Sequence, residues 1–86
     1  KLSVTKSAAN AFKISWSKVE GVQYYRLYRA TSKNGKYALM KTTTSTSYIN
    51  KSLTKGKTYY YKVKGYKKYR NLKVFTNFSN IVGKRV

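Results

Sequence analysis

The stretch from Tyr59 to Lys67 alternates between two sets of side chains, and this alternation constrains the fold more than any other feature. One set shares a face with Gly65 and comprises Tyr59, Tyr61 and Val63. The other set comprises Tyr60, Lys62, Lys64 and Tyr66. A period of two is that of a β-strand, whose successive side chains point to opposite sides of a sheet. The stretch is therefore predicted to be the longest strand of an all-β protein, with its first set buried.

Two earlier segments carry the same pattern. Phe12, Ile14 and Trp16 alternate with polar residues, and the segment from Gln23 to Ala30 places Tyr25 and Leu27 on one face. The opposite face of that second segment carries Tyr24, Arg26 and Tyr28. Both segments are predicted strands with one buried face.

Turn signals divide the rest of the chain into short strands. The Asn34-Gly35 dipeptide predicts a tight turn because both residues tolerate positive φ, and a return strand should follow from Tyr37 to Lys41. The tract from Thr42 to Ser47 suits an exposed edge or loop. Further short strands are expected at Leu2 and Val4, at Tyr48 and Ile49, and between Val74 and Val86, where the register stays open. Between the longest strand and the last one, Lys67 to Lys73 is predicted to form a basic hairpin tip.

Seven short strands with no Pro and no helical period predict an immunoglobulin-like β-sandwich. Its 86 residues form one domain, residues 1–86, which we expect to be cut from a larger multidomain protein. The mean hydropathy of −0.66 and the high charge are also found in disordered chains, but 16% aromatic residues in alternating patterns favour a folded domain. No apolar run is long enough to span a membrane.

The charge balance excludes most catalytic chemistry. The chain has 20 Lys and Arg residues against a single carboxylate, Glu20, which gives a formal charge of +19. With one carboxylate the chain cannot form a carboxylate pair. It contains no His and no Cys, so a Ser-His-Asp triad, a thiolate nucleophile and a zinc site also lack their residues. We therefore expect no enzymatic activity, no catalytic residue, no metal and no cofactor.

The run Leu53-x-x-Gly56-x-x-Tyr59-x-Tyr61-x-Val63 resembles the E–F corner and F strand of a fibronectin type III domain. Trp16, at the end of the second strand, is similar to the buried Trp of that family. The resemblance is strongest to Lys- and Tyr-rich modules of secreted and cell-surface proteins of Gram-positive bacteria, which carry stretches similar to those at residues 25–29, 31–37 and 56–63. One departure is Lys55, which stands where Pro is common.

The resemblance implies the fibronectin type III topology and a tyrosine corner. In such a corner the Tyr59 ring fills the core and its hydroxyl meets a backbone group a few residues upstream. Alternation and the corner together predict a core made of Phe12, Ile14, Trp16, Tyr25, Leu27, Leu53, Tyr59, Tyr61 and Val63. Trp16 could also serve as a sugar platform, but its phase with Phe12 and Ile14 favours the core.

A basic and aromatic sheet face is the candidate ligand-binding surface. It requires the predicted strand from Gln23 to Ala30 to pair with the longest predicted strand, and its residues are Tyr24, Arg26, Tyr28, Tyr60, Lys62, Lys64, Tyr66, Lys68 and Arg70. Cations offer charge to phosphate or carboxylate, and Tyr rings offer stacking to sugars or bases. Cross-strand Tyr and Lys pairs also stabilise a sheet with no ligand, and this alternative is the stronger one.

Two functional hypotheses follow. The first is a noncatalytic accessory or spacer module of a secreted or cell-surface bacterial protein, which positions neighbouring domains and associates with anionic cell-wall polymer. The second is a dedicated binding module for an anionic polysaccharide or a protein partner. We expect a monomer that is extracellular or wall-attached. Sequence-specific nucleic-acid binding is not expected, because the chain lacks a recognition helix, zinc ligands and an RNA-binding sheet signature.

Overall fold

Eight β-strands and no helix make up the computed structural model, which describes residues 1–86. The strands are β1 (Leu2–Ala8), β2 (Ala11–Trp16), β3 (Tyr24–Ala30), β4 (Ala38–Thr43), β5 (Ser47–Asn50), β6 (Thr58–Tyr69), β7 (Leu72–Phe75) and β8 (Val82–Arg85). The longest is β6, with 12 residues. The all-β prediction is therefore confirmed, with eight strands rather than seven because the final strand is divided. No helix that could cross a membrane is present.

The strands form two antiparallel sheets. The smaller sheet has the order β1-β2-β5, and the larger has the order β4-β3-β6-β7 with β8 also paired to β6. In the larger sheet β3 pairs with β6 so that Leu27 lies opposite Val63 and Arg26 lies opposite Lys64. Because both strands alternate in phase, this register sends their apolar set inward and their basic and aromatic set outward.

The core lies between the two sheets. It contains Leu2, Phe12, Ile14, Trp16, Tyr25, Leu27, Leu53, Tyr59, Tyr61 and Val63, all of them buried. All nine core residues proposed from the sequence are in this set, and Leu2 joins them from β1. Phe12 and Tyr61 meet edge to face with ring centroids 6.5 Å apart, which ties the smaller sheet to the larger one.

A buried polar contact also links the sheets. Asn50, at the end of β5, accepts a hydrogen bond from the Tyr61 hydroxyl at 2.7 Å and another from Arg29 at 3.0 Å. Its amide oxygen therefore uses both of its lone pairs. Burial raises the pKa of Tyr61 to about 12, because ionising the phenol in this dry position is unfavourable.

The connection between β3 and β4 differs from the predicted tight Asn-Gly turn. The Gly35 N–H donates to the Ser32 carbonyl at 3.1 Å, and neither Asn34 nor Gly35 has a positive φ. Ser at the first position and Gly at the fourth are typical of a type I turn, which needs no left-handed residue. The turn is therefore part of a longer loop, and β4 begins at Ala38 instead of Tyr37.

Candidate functional site

The outer face of the larger sheet brings the predicted ligand-binding residues together. Across β3 and β6, Tyr24 lies opposite Tyr66, Arg26 opposite Lys64, and Tyr28 opposite Lys62. Tyr60 lies opposite Ala30, one step nearer the start of β6. The remaining two residues, Lys68 and Arg70, lie beyond the pairing with β3, on the β6–β7 hairpin.

Two phenylalanines that the sequence analysis did not include complete this face. The Lys62 ammonium lies 3.9 Å from the ring centroid of Phe78, and the Lys64 ammonium lies 4.5 Å from that of Phe75 and 4.7 Å from that of Phe78. Lys62 also lies 4.3 Å from the centroid of Tyr37. Lysines and rings therefore alternate over the sheet in a cation–π layer.

The segment from Phe75, the last residue of β7, to Asn80 turns both phenylalanines outward. Its sequence is the tripeptide Phe75-Thr76-Asn77 followed by the similar tripeptide Phe78-Ser79-Asn80. The Thr76 N–H donates to the Gly65 carbonyl at 2.8 Å, and the Thr76 hydroxyl accepts from the Gly65 N–H at 3.0 Å. Ser79 makes the same two bonds with Val63, at 2.7 and 3.0 Å.

Each hydroxyl therefore accepts the hydrogen bond that a backbone carbonyl would accept in a regular antiparallel pair of strands. It also donates to the carbonyl of the Asn that follows it, Asn77 or Asn80. Thr76 bonds to Gly65 and Ser79 bonds to Val63, so the last strand moves three residues along its sequence where β6 moves two. The period-two pattern is lost over residues 76–81, and the strand is divided into β7 and β8.

Tyr66 is the most deeply buried ring of the face, and Arg26 lies over it. The Arg26 guanidinium carbon lies 5.1 Å from the ring centroids of both Tyr66 and Phe75. The Tyr66 ring stacks on Tyr24 at 5.2 Å and is only 5% exposed. Tyr66 was proposed as a ligand contact, but its ring is covered by its neighbours and has no free face for a sugar or a base.

The other two predicted tyrosines also contact the protein itself. Tyr28 meets Phe78 edge to face with centroids 5.3 Å apart. The Tyr60 ring lies directly against Gly83, where a methyl group would collide with it. Burial, with a smaller contribution from Tyr60, raises the pKa of the nearby Tyr37 phenol.

The chemistry of this face is that of cations without carboxylate partners. Glu20 is the only acidic side chain in the chain, so the ring faces are the main partners of these ammonium and guanidinium groups. The Arg26 Nε is buried and has no hydrogen-bond partner. The face can attract anions and donate hydrogen bonds to them, while its rings remain engaged within the protein.

Fibronectin type III domains are among the solved structures similar to this chain. A fibronectin type III-like protein from Clostridium thermocellum is 28% identical, with a TM-score of 0.81, over 96% of this chain and 84% of its own. The sixth domain of human fibronectin type III domain containing protein 3 is 26% identical, with a TM-score of 0.76, over 98% and 78%. No family model and no curated protein matches the sequence.

A third similarity is to a larger assembly. The chain aligns with 14% of the twitchin kinase region from C. elegans, a chain that combines fibronectin type III, kinase and immunoglobulin domains, at 15% identity and a TM-score of 0.60. The chain therefore has the fibronectin type III fold. Domains of this fold occur as modules in larger proteins, where they are generally noncatalytic.

Proposed function

We propose that this chain is a noncatalytic module that spaces neighbouring domains in a secreted or cell-surface bacterial protein. The observation that carries the proposal is the engagement of the outer-face rings by the protein's own cations. Tyr66 is buried under Arg26, and Lys62 lies over Phe78, so these rings already serve packing. This supports a structural role for the face over a sugar-stacking role.

The positions of the two termini support a spacer. The Lys1 carbonyl accepts from the Ser17 N–H, just beyond the end of β2, and Lys1 shares a cavity with Lys64 and Gly65. The Val86 N–H donates to the Lys57 carbonyl, at the start of β6. Along β6, Lys64 and Gly65 lie seven and eight residues after Lys57. Because a strand rises about 3.3 Å per residue, the two termini are roughly 25 Å apart.

The second part of the proposal concerns charge. A domain with a formal charge of +19 attracts any polyanion at moderate salt, and the phosphate polymers of a Gram-positive wall are one such partner. The similarity to the Clostridium thermocellum protein supports a bacterial setting. Such adsorption holds the module close to the wall without a dedicated site, and the module acts as a monomer.

A salt titration separates this function from a dedicated binding module. Binding to a glycerol-phosphate polymer and to poly-glutamate should fall steeply and in parallel as salt rises, because counterion release drives both. A dedicated site would keep one ligand at salt concentrations that release the other, and Tyr28→Ala would abolish that selectivity. Tyr28 suits this test better than Tyr66, whose truncation would expose the packed layer. Retained selectivity in the wild type, lost in Tyr28→Ala, would overturn the proposal.

The spacer geometry can be measured directly because the chain contains no Cys. Cysteines introduced at Lys1 and Arg85 accept a donor and an acceptor dye without side reactions. The expected result is one narrow distance population, which broadens only when the domain unfolds. A broad population under native conditions would show that the ends are not held apart by the fold.

A further inference from the structure

The β6–β7 hairpin extends beyond the rest of the larger sheet. The last pair between β3 and β6 is Tyr24 with Tyr66, and the three β6 residues that follow pair only with β7. Every residue from 67 to 75 is exposed. Arg70, in the two-residue connection, has a φ of 58°. The tip is thus a two-stranded hairpin whose side chains face solvent on both sides.

One face of this hairpin carries three large hydrophobic side chains and one Lys. Tyr69 lies opposite Leu72, and Val74 lies opposite Lys67, so these four side chains share the face that continues the inner side of the sheet. Tyr69 is 59% exposed, Leu72 69% and Val74 49%. Leu72 is the most exposed of the large hydrophobic side chains in the protein.

The other face brings like charges together. Lys68 and Lys73 lie directly opposite each other, and like charges in that arrangement destabilise a sheet. An open recess of about 240 Å³ at the tip of the hairpin is lined by Lys68, Arg70, Asn71, Leu72 and Lys73. With only Glu20 available, in the loop before β3, the protein supplies no carboxylate to this recess.

We propose that the hairpin tip binds the surface of an anionic phospholipid bilayer. Leu72 and Tyr69 enter the boundary between headgroups and acyl chains, while Lys68, Arg70 and Lys73 bind the lipid phosphates. Exposed apolar side chains flanked by cations match such a boundary, where charge and apolar burial act together. This inference does not depend on the proposed spacer role.

A bilayer fits this tip better than the other anionic partners do. A soluble phosphate polymer satisfies the cations but leaves Leu72 in water. Protein interfaces are depleted in Lys, yet Lys67, Lys68 and Lys73 all lie within seven residues of the tip. Anionic lipid supplies an apolar layer directly below a layer of phosphates, and both parts of the hairpin then have partners.

Vesicle partitioning of the whole chain tests the apolar contribution. Wild type should bind vesicles of phosphatidylcholine with phosphatidylglycerol and should bind pure phosphatidylcholine weakly. Leu72→Ser should lower the partition coefficient roughly tenfold, because burying a Leu side chain is worth about one such factor or more. The matched control is Leu39→Ser on β4, where Leu39 is 49% exposed and the coefficient should not change.

The cations are tested in the same assay. Lys68→Gln with Lys73→Gln should lower binding about fivefold per charge. The paired control, Lys6→Gln with Lys13→Gln, removes the same charge from the smaller sheet and should have a smaller effect. Equal losses for the two pairs, or no binding of the wild type to anionic vesicles, would overturn the proposal.

Depth distinguishes insertion from adsorption by charge. In Leu72→Trp, the fluorescence of the new indole should be quenched by lipids brominated in their acyl chains. Trp16 is buried and supplies a constant background, and Leu39→Trp is the control that should not be quenched. Absence of quenching in Leu72→Trp, with vesicle binding retained, would rule out the proposed bilayer contact and leave the polymer association of the spacer untouched.

Discussion

The phenol oxygen of Tyr59 accepts a hydrogen bond from the backbone N–H of Thr54 at 3.0 Å. The Tyr59 ring is buried in the core, so this bond fastens the turn before β6 to the interior of the sandwich. Gly56 lies within that turn with a φ of 84°, a conformation that a side chain would strain. Hydrogen bonding with Thr54 lowers the pKa of Tyr59, and the side chain of Thr54 contributes more to this than its backbone does.

Replacing Tyr59 with Phe should destabilise the fold without changing its shape. The ring stays in the core, but the Thr54 N–H loses its partner, and the expected cost is about 0.5 to 1.5 kcal/mol. Unfolding of wild type and Tyr59→Phe with a chemical denaturant measures this loss of stability. The control is Tyr37→Phe, since the Tyr37 hydroxyl donates to the carbonyl of Lys33, an exposed residue whose carbonyl can bond to water instead. Equal midpoints for wild type and Tyr59→Phe would show that the corner bond is not a stabilising contact.

The alternation of buried and exposed side chains was sufficient to predict most of the sandwich. It indicated β2, β3 and β6 correctly because each has one dry face, and burial makes register specific there. The corner at Tyr59 was predictable because one motif determines both the ring position and the hydroxyl partner. The final strand was not, because the hydroxyls of Thr76 and Ser79 take the place of ladder carbonyls and remove the two-residue period.

The candidate face was predicted only in part for a related reason. Pairing β3 with β6 places Arg26 beside Lys64, as alternation requires. Phe75 and Phe78 are three residues apart, a spacing that would send them to opposite faces of a regular strand. Only the repeated Phe-(Thr/Ser)-Asn pattern signals that both point outward. The burial of Tyr66 could not be foreseen without placing Phe75 on the outer face, because Phe75 packs against the Tyr66 ring.

Ser79→Ala should test the hydroxyl substitution in the divided strand. The change leaves the buried Val63 N–H without its acceptor, at a cost of about 1 to 3 kcal/mol. Ser79→Thr keeps a hydroxyl and should recover most of the loss. Ser47→Ala, at an exposed position on β5, is the control and should change stability by no more than about 0.5 kcal/mol. Urea unfolding of the three variants gives the comparison, and equal effects at positions 79 and 47 would contradict the assignment.

A double-mutant cycle between Lys62 and Phe78 should measure one contact of the cation–π layer. Lys62→Met keeps the apolar stem and removes the charge, and Phe78→Leu keeps an apolar side chain and removes the ring. With the ammonium 3.9 Å from the ring centroid, we expect a coupling energy of about 0.5 to 1 kcal/mol. The cycle of Lys13 with Phe78 is the control, since Lys13 lies on the other sheet. A coupling no larger than that control would mean that the two side chains are adjacent but not energetically linked.

Stability should depend on alkaline pH through Tyr61. Its pKa is raised from 10.0 to about 12 by burial, so the unfolded chain loses the phenol proton first. The stabilisation from the protonated hydroxyl is therefore complete below pH 10 and is lost as the pH rises through 12. The useful quantity is the difference in unfolding free energy between wild type and Tyr61→Phe, in which the contribution of every other group cancels.

Near neutral pH, Tyr61→Phe should be less stable by about 0.5 to 1.5 kcal/mol, since the bond to Asn50 is lost while Arg29 still donates to Asn50. Above pH 10 the gap should narrow and then reverse, because Phe has no proton to lose. Phe12→Leu perturbs the same edge-to-face contact without changing a titrating group, and its cost should stay constant with pH. Unfolding free energies measured across this range decide the matter. A gap for Tyr61→Phe that is as constant as that for Phe12→Leu would show that the Tyr61 phenol does not hold its proton more tightly in the folded protein.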